Sequence, residues 1–597
     1  MKNLNIVVIS GGSGNDSLIK GIKEIYKDSN VKVIVNAYDN GKSTGICRNV
    51  TDTLGVSDIR KNHIRMYKAL TQTPDERLVE FYTLRYNLGE VDDAIIEARN
   101  HLKKWGLESL YKYVKSFFAQ ENATRFKYND FNIANIVYAE MYREYGYEYT
   151  NKFFCDLLGI DNFVVLNSHK NIYIEAETEQ GNILNDEGLI VEHCNKQDKI
   201  VKLRYFEDDK EYGYSEQWLY QSQDWLNPEA ISLVENADLI VISTGTFWSS
   251  IYPTLEYGDF YKIINNSRAK KIWAINNTED KDAYGVSSND FINIVEKLGL
   301  DLTKFVILEN KDSIKSLHMK NDKYDVRYAS MENNDGKHNG HKFAKEILKI
   351  YFGIDKCRSY DTILFDFDDT IWSRLSEFSD ELKVSYENIE LLNKVKAKKN
   401  ASVQIVSGNS YSSIQLKLYR ALGTNLDNFN VKIWADANAI LYSNNKKIDK
   451  INELMINNED VIRIITILNV RYGLSTTQGD VRIHVNDDDV SYIKIKPLQH
   501  LERELLVDIL NNQIFKELNI NYLEARKTGY TTIDIVTKTN TKVAVFNHLN
   551  LENKKVLYIG DEFDSGNDSE IAKICTHAIS TSGAKETNIL IKLLLED

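Results

Sequence analysis

The sequence predicts an α/β protein of two Rossmann-like parallel-sheet domains, the second carrying an inserted α+β segment. Three observations lead there. Apolar runs of strand length end in turns rich in glycine or aspartate: "NIVVIS" before "GGSG", "ADLIVIS" before "TGT", "DTILF" before "DFDDT" and "KVLYIG" before "DEFDSGND". Helical patterns such as "DSLIKGIKEIY" lie between such runs, which makes βαβ units and parallel sheets. The chain has 597 residues, more than one hydrophobic core fills when domains run to roughly 150 residues.

The elements follow in order. "NIVVIS" is a first strand; as an apolar run it is far too short for a secretory leader. "VKVIVNAY" is a second strand after the first helix. Residues 60–155 are mostly helical, as in "DERLVEFYTLRYNL" and "FNIANIVYAEMYREY". Strands return at "NFVVLN", "NIYIEAETEQG", "ADLIVISTGT" and "AKKIWAINN". The polar stretch "MENNDGKHNGHKF" precedes one more helix, and its His338 and His341, three apart, read as a solvated linker before a metal pair. The boundary falls near 345–360, giving domains 1–350 and 356–597. The second domain repeats the pattern with "DTILFDF", "NASVQIVSGN" and "KVLYIGDE". Between about 437 and 539 the pattern changes to alternating strands, "VRIHVNDDDVSYIKIKP" and "TTIDIVTK", mixed with helix; this reads as a smaller inserted domain, with 486–489 a hairpin turn.

The bulk numbers exclude some functions. A net charge of −13 speaks against general nucleic-acid binding. No segment approaches 18 apolar residues, so no membrane span is expected. The cysteines at 47, 155, 194, 357 and 575 show no CxxC spacing, which points to a reducing compartment, hence the cytoplasm, and away from structural zinc.

The strongest chemical signal is "FDFDDT". Asp366 and Asp368 stand two apart at a strand end, so both carboxylates face one side. One can attack phosphorus; the other can protonate the leaving oxygen and then activate water. Ser407, with Gly408, ends another strand where a hydroxyl can meet a phosphate oxygen. Lys542, just before helical "VAVFNHL", offers a fixed positive charge. Asp561, Glu562, Asp564 and Asp568 follow the last strand, and hard carboxylate oxygens suit Mg²⁺. These four motifs, in this order, resemble the haloacid dehalogenase (HAD) superfamily, and the inserted segment resembles the cap of its type IIB phosphatases, the phosphomannomutase and Cof-like branches above all. The resemblance implies Asp366 as nucleophile, Asp368 as acid/base, Ser407, Gly408 and Lys542 as phosphate holders, and Mg²⁺ on Asp366, the backbone carbonyl of Asp368, and Asp561. Of Glu562, Asp564 and Asp568, the last matches the family's Asn-Asp pair best as a further metal ligand.

In the N-terminal half the turn Gly11-Gly12-Ser13-Gly14 joins a strand to a helix whose N-terminus suits a phosphate or diphosphate. As a dinucleotide fingerprint it is incomplete, because Ser17 stands where a third glycine or alanine belongs. The second strand ends at Asp39, where a carboxylate could meet a ribose hydroxyl. "NGKSTG" then looks like the end of a P-loop, but Asn36 stands where its first glycine belongs. With "VSDIRKNHIRMYKAL", "ADLIVISTGTFWSSIYPTL", "AKKIWAINN" and "YGVSSNDFINIV", these pieces resemble the family that contains the 2-phospho-lactate transferase CofD and the YvcK-type gluconeogenesis factors. The resemblance covers about 300 residues. It implies a nucleotide diphosphate or nucleotide sugar surrounded by the glycine turn, by Asp39, Asn40, Gly41, Lys42, Ser43, Thr44 and Arg48, by Asp58 and Arg60, by Thr244, Gly245 and Thr246, and by Asn276. Asn40 replaces the family's second aspartate and Lys42 a glycine. The deazaflavin-binding segment of CofD has no counterpart here.

Two functional expectations result. One is a bifunctional enzyme: a Mg²⁺-dependent phosphatase for a small phosphomonoester such as a sugar phosphate, fused to a domain that binds a nucleotide-activated substrate and transfers a phosphoryl-linked group from it. The other is a phosphatase controlled by an N-terminal nucleotide-sugar sensor without chemistry. Arg482, His484 and Arg526 of the insert are candidates for substrate choice.

Overall fold

A computed structural model of the chain describes residues 3–11, 16–39, 41–88, 90–161, 163–185, 187–207, 225–276, 280–311, 323–333, 338–354, 360–374, 380–498, 501–528, 531–564 and 568–596, the side chains of 16, 42, 87, 88 and 207 excepted. It divides into two compact units, Asn3–Tyr351 and the chain from Phe352 onward. Among the described residues no helix is long and apolar enough to cross a membrane.

The N-terminal unit is built on a seven-stranded sheet. Its strands run, edge to edge, Asp325–Ala329, Phe305–Asn310, Lys270–Ala274, Leu239–Ile242, Asn5–Ile9, Asn30–Val35 and Val164–Leu166. Every pairing is parallel. Such a sheet is covered on both faces, so its strands are apolar throughout rather than alternating: Leu239, Ile240, Val241 and Ile242 are all fully buried. From Asn5–Ile9 the chain moves to Asn30–Val35 on one side, and Leu239–Ile242 joins on the other. The strand order therefore reverses at this pair, and a crevice opens beyond their carboxyl ends, where such sheets hold ligands. "NIYIEAET" forms Ile172–Thr178 of a separate three-stranded sheet, antiparallel to Ile200–Glu207. Two segments read from the sequence as binding loops are helix starts instead. Lys42–Thr51 and Ser57–Leu70 are helices, so Lys42, Ser43, Thr44, Asp58 and Arg60 sit in first turns.

The C-terminal unit has its own seven-stranded sheet: Lys446–Lys450, Ile440–Ser443, Lys432–Ala435, Ser402–Val406, Thr362–Phe365, Val556–Gly560 and His577–Ser580. The last five are parallel; the first two form an antiparallel edge. That hairpin corrects the expected insert boundary of 437. Residues 440–450 extend the core sheet, and the inserted cap's own core starts at Ile456. The cap is a four-stranded antiparallel sheet, Val481–Asn486, Asp489–Ile495, Thr532–Thr537 and Leu523–Thr528. One face of it, with Ile493, Ile495, Ile533 and Ile535, packs with Ile464 and Leu468 of helix Asn458–Tyr472 and Leu506 of helix Arg503–Ile509. The hairpin turn falls at Asp487 and Asp488.

Candidate functional site

In the C-terminal unit Asp366, Ser407 and Asp561 each follow directly on a strand, Thr362–Phe365, Ser402–Val406 and Val556–Gly560. The first of these strands lies between the other two, so motifs far apart in sequence meet at one sheet edge. Carboxylate oxygens of Asp366, Asp561 and Asp568 all lie within 4.8 Å of one another. Lys542 begins helix Lys542–His548 and is buried. Its Nζ donates to Asp366 Oδ1, to Asp568 Oδ1 and to the Tyr558 hydroxyl. Asp568 is fully buried, and both its oxygens are occupied. Oδ1 also accepts from Tyr558 Oη at 2.6 Å. Oδ2 accepts the backbone N–H of Asp561 at 3.1 Å and of Glu562 at 3.4 Å. A Cβ at Gly560 would run into that Oδ2, so the strand end has room only for glycine. Thr370 Oγ1 lies 3.4 Å from Asp366 Oδ2 and 3.3 Å from Asp561 Oδ1.

Burial pushes the Asp366 carboxyl up to about 7; Lys542 opposes this and Asp568 adds to it. Burial, then Asp568 and Glu562, push Asp561 up to about 6. Burial works against the Lys542 ammonium, but Asp366 and Asp568 outweigh it and hold the proton on. Three crowded carboxylates sharing one ammonium leave an excess of negative charge that a hard divalent cation fits.

Ser407 is buried, with its Oγ accepting the Asn409 N–H at 3.1 Å. Gly408 is open: a Cβ there would meet nothing within 4 Å. Asp368 does not join the carboxylate cluster. Its Oδ1 accepts from Lys417 Nζ at 2.8 Å, its Oδ2 accepts from Asn409 Nδ2, and Arg374 Nη2 stands 3.8 Å from that Oδ2. Glu562 and Asp564 are exposed. On the cap, Arg482, Lys494, Asp534 and Arg526 are paired across the four strands in one row. Arg482 is exposed, while Arg526 is half-buried and donates to Asn540 O at 2.9 Å. His484 stacks on Tyr492, ring centroids 3.9 Å apart, and Tyr492 and Val536 pack with Ala437. The row thus shares its face with Tyr492 and Val536, whose partner Ala437 donates its N–H to Gly408 O and accepts at its carbonyl from Asn540 Nδ2.

In the N-terminal unit the crevice between the two central strands is narrow. A Cβ on Gly245 would stand 3.1 Å from Gly11 N, and one on Gly11 would stand 2.7 Å from Ser250 Oγ. Asn276 clasps the second loop: its Nδ2 donates to Gly245 O at 2.8 Å, and its Oδ1 accepts the Gly245 N–H at 3.4 Å. Thr246 Oγ1 lies 2.9 Å from Ser250 Oγ and accepts from Ser249 Oγ at 2.6 Å, and Thr244 is half-buried. Beside them Phe247, Trp273, Asn276, Asp280 and Phe291 line a small recess open to solvent. Across the crevice Asp39 Oδ1 accepts the Gly41 N–H at 3.1 Å, and Thr44 Oγ1 lies 3.5 Å from its Oδ2. Asp58 pairs with Lys61 at 3.1 Å. Ser43 Oγ accepts from Asn135 Nδ2 at 2.9 Å, and Asn135 Oδ1 accepts from Arg60 Nε at 2.7 Å.

Two expected ligand-binding cations are corrected. Arg48 donates from Nε to Thr53 O, from Nη1 to Tyr38 O and Asp39 O, and from Nη2 to Asn171 Oδ1 and Ile172 O. Its five N–H groups are committed to the protein, and it stacks 3.9 Å from the Tyr173 ring centroid. Arg60 is buried and also donates to Tyr82 O. Both clamp the fold. Gly12, Ser13, Gly14, Asn40 and the Lys42 side chain lie outside the described residues. His338 and His341 diverge: the first stacks on Phe343, the second faces Glu24.

Sequence reasoning missed several residues here. Glu187 comes over the crevice, its Oε2 close against the spot where a Gly41 Cβ would stand. Burial, Asp39 and Asp58 push its carboxyl well above the usual range. Burial raises Asp39 too, against Lys61 and together with Asp58. Nothing in "NDEGL" signals Glu187, because only tertiary folding brings it there. Thr370 and Asn409 stand inside quoted motifs. Tyr558 was legible as a polar tip in an apolar strand, whereas Lys417 is one lysine among many.

Comparison with known proteins gives the following. The family model described as 2-phospho-L-lactate transferase CofD matches residues 6–348. A putative gluconeogenesis factor of Aquifex aeolicus is 24% identical over 315 residues, 52% of this chain and 79% of that protein. A crystal structure of a UPF0052-family protein from Bacillus halodurans covers 58% of this chain and 99% of its own, with 19% identity and a TM-score of 0.43. The C-terminal part is similar to an IMP-bound mutant of the IMP-nucleotidase of Plasmodium falciparum, with 19% identity, a TM-score of 0.29, and coverage of 43% of this chain and 74% of that one.

Proposed function

The chain belongs to the CofD family, described as 2-phospho-L-lactate transferase CofD, and from that membership and the site geometry we propose a two-part enzyme: a HAD-type phosphatase for a small phosphomonoester, joined to a CofD-like domain that binds a nucleotide-activated small molecule. The observation that carries the phosphatase reading is the meeting of Asp366, Asp561, Asp568 and Lys542 at the ends of neighbouring strands.

The chemistry follows from the side chains. An Asp366 carboxylate oxygen attacks phosphorus, the bond to the leaving oxygen breaks, and Asp368 gives that oxygen its proton. Water then attacks the aspartyl phosphate. Asp368 takes the water's proton, and phosphate leaves with Asp366 restored. Lys542 holds the nucleophile in place, and Asp568, bound by four donors, anchors Lys542. Backbone and hydroxyl donors around Ser407 and Gly408 receive the phosphoryl oxygens. Asp366, Asp561 and the backbone carbonyl of Asp368 would hold Mg²⁺, with Asp568 beside them; when bound it neutralises phosphoryl charge. The test is phosphate release from a panel of sugar phosphates and nucleotides with Mg²⁺, against the Asp366→Asn variant. Release that persists in the variant would overturn the mechanism.

For the N-terminal half we propose a nucleotide diphosphate or nucleotide sugar, its diphosphate at the Gly11 and Gly245 turns. Such a ligand raises the melting temperature by mass action. The competing reading, a sensor without chemistry, draws on one observation: Arg48 and Arg60, cations a transfer site would use on a leaving diphosphate, are both committed to the fold. A new product seen by mass spectrometry would decide for transfer.

A further inference from the structure

Asp368 is gripped by Asn409 of the second motif and by two cations outside the four motifs. Lys417 Nζ donates to Oδ1 at 2.8 Å, Asn409 Nδ2 donates to Oδ2, and Arg374 Nη2 stands 3.8 Å from Oδ2. Lys417 is set by packing as well as by charge. It projects from helix Tyr411–Leu422, and its ammonium stands 5.1 Å from the Phe367 ring centroid and 5.6 Å from that of Trp372. Both rings are buried, and a cation over aromatic faces is held where it is. The side chain is 21% exposed, so it is only partly covered where it meets Asp368.

This position matters because of what Asp368 does. In the phosphatase reading it delivers a proton to the leaving oxygen, so the groups around it border the leaving group. Lys542 cannot serve there, since Asp366 and Asp568 already share it. Among the described residues Asp368 is the only carboxylate paired with Lys417. When Asp368 turns to the leaving oxygen, Lys417 is left facing the leaving group with unneutralised charge, while Arg374 beside it keeps Asp369 at 3.3 Å from its Nε. The cap row has the same sign, three cations, Arg482, Lys494 and Arg526, to one carboxylate, Asp534. A neutral alcohol offers these cations only hydroxyl acceptors, whereas an anion on the leaving group makes the stronger, doubly charged hydrogen bond.

We propose that Lys417, assisted by Arg374, binds a second anionic group on the leaving alcohol, so that the substrate is a small phosphomonoester carrying a carboxylate or another phosphate near its ester oxygen. The proposal rests on the phosphatase reading and narrows its substrate class.

Matched pairs of esters test it with the full chain and Mg²⁺. Glycerol 3-phosphate and 3-phosphoglycerate differ by a carboxylate; fructose 1-phosphate and fructose 1,6-bisphosphate differ by a phosphate. p-Nitrophenyl phosphate reports phosphatase chemistry alone. The wild type is expected to favour the anion-bearing member of at least one pair by about tenfold or more in kcat/KM, as a charge-assisted contact supplies. Lys417→Met removes most of that preference, chiefly through KM, and Lys417→Arg keeps it. The pair that responds tells carboxylate from phosphate. A wild type indifferent to the second anion overturns the inference, as does a Lys417→Met variant that slows both members of each pair by the same factor. No release from any ester, p-nitrophenyl phosphate included, overturns the phosphatase reading itself and the inference with it.

Discussion

The Asp366–Lys542–Asp568 knot decides the C-terminal site. Buried charges cost several kcal/mol each unless paired and hydrogen-bonded, and here one ammonium is shared by two carboxylates, with Tyr558 and two backbone N–H groups completing the second. Removing one member leaves the others uncompensated. Asp568→Ala is therefore expected to destabilise the C-terminal unit by about 3–5 kcal/mol, read as an earlier denaturant transition, and to lower phosphate release with it. A change in activity with no change in stability would contradict the anchoring role. A second residue-scale prediction concerns His63. It is buried, with Nδ1 2.7 Å from Tyr138 Oη and Nε2 3.5 Å from Cys155 Sγ, and burial lowers its pKa from 6.5 to about 3. The unfolded chain takes up a proton as pH falls through 6.5 and the folded chain does not. Stability is thus lost on going down in pH, by about 2 kcal/mol between pH 7 and pH 5. His63→Gln is expected to flatten that part of the pH dependence; an unchanged slope would show that other groups carry it.

At the scale of elements, function sits at strand ends and helix starts. Gly245 follows one central strand so close to Gly11 of the next that a Cβ would stand only 3.1 Å from Gly11 N. Gly245→Val is expected to close this crevice and abolish the rise in melting temperature produced by a nucleotide diphosphate; a shift of wild-type size would move the ligand elsewhere. The strands around both crevices were legible because buried parallel strands are written as continuous apolar runs ending in glycine or aspartate. What followed those strands was not. Ser43 and Asp58 read as loop residues because their segments carry glycine, serine and aspartate, but those types also start helices. Arg48 read as a ligand cation because a sequence cannot say whether a guanidinium turns outward or back onto Tyr38, Thr53 and Ile172. The cap boundary was set early because hairpin 440–450 alternates like the cap strands, while hydrogen bonds to Lys432–Ala435 make it part of the core sheet.

Over the whole molecule, two α/β units each put their candidate chemistry at one carboxyl edge of a central sheet. The motif order in the sequence was enough to foresee both sheets and the meeting of Asp366 and Asp561 at one edge, because strand ends transmit position through backbone pairing alone. It was not enough to foresee Glu187 over the Gly41 turn or Lys417 on Asp368, whose places depend on side-chain packing between elements distant in sequence. The central claim is that the C-terminal unit is a phosphatase with Asp366 as its nucleophile. Phosphate release from p-nitrophenyl phosphate and a sugar-phosphate panel, with Mg²⁺ and after chelation, by the wild type and by Asp366→Asn, tests it most directly. Mg²⁺-dependent release by the wild type, lost on chelation and at least about 1,000-fold lower in a folded Asp366→Asn variant, is the result expected; equal release by the two proteins, or none from any ester by the wild type, would contradict it.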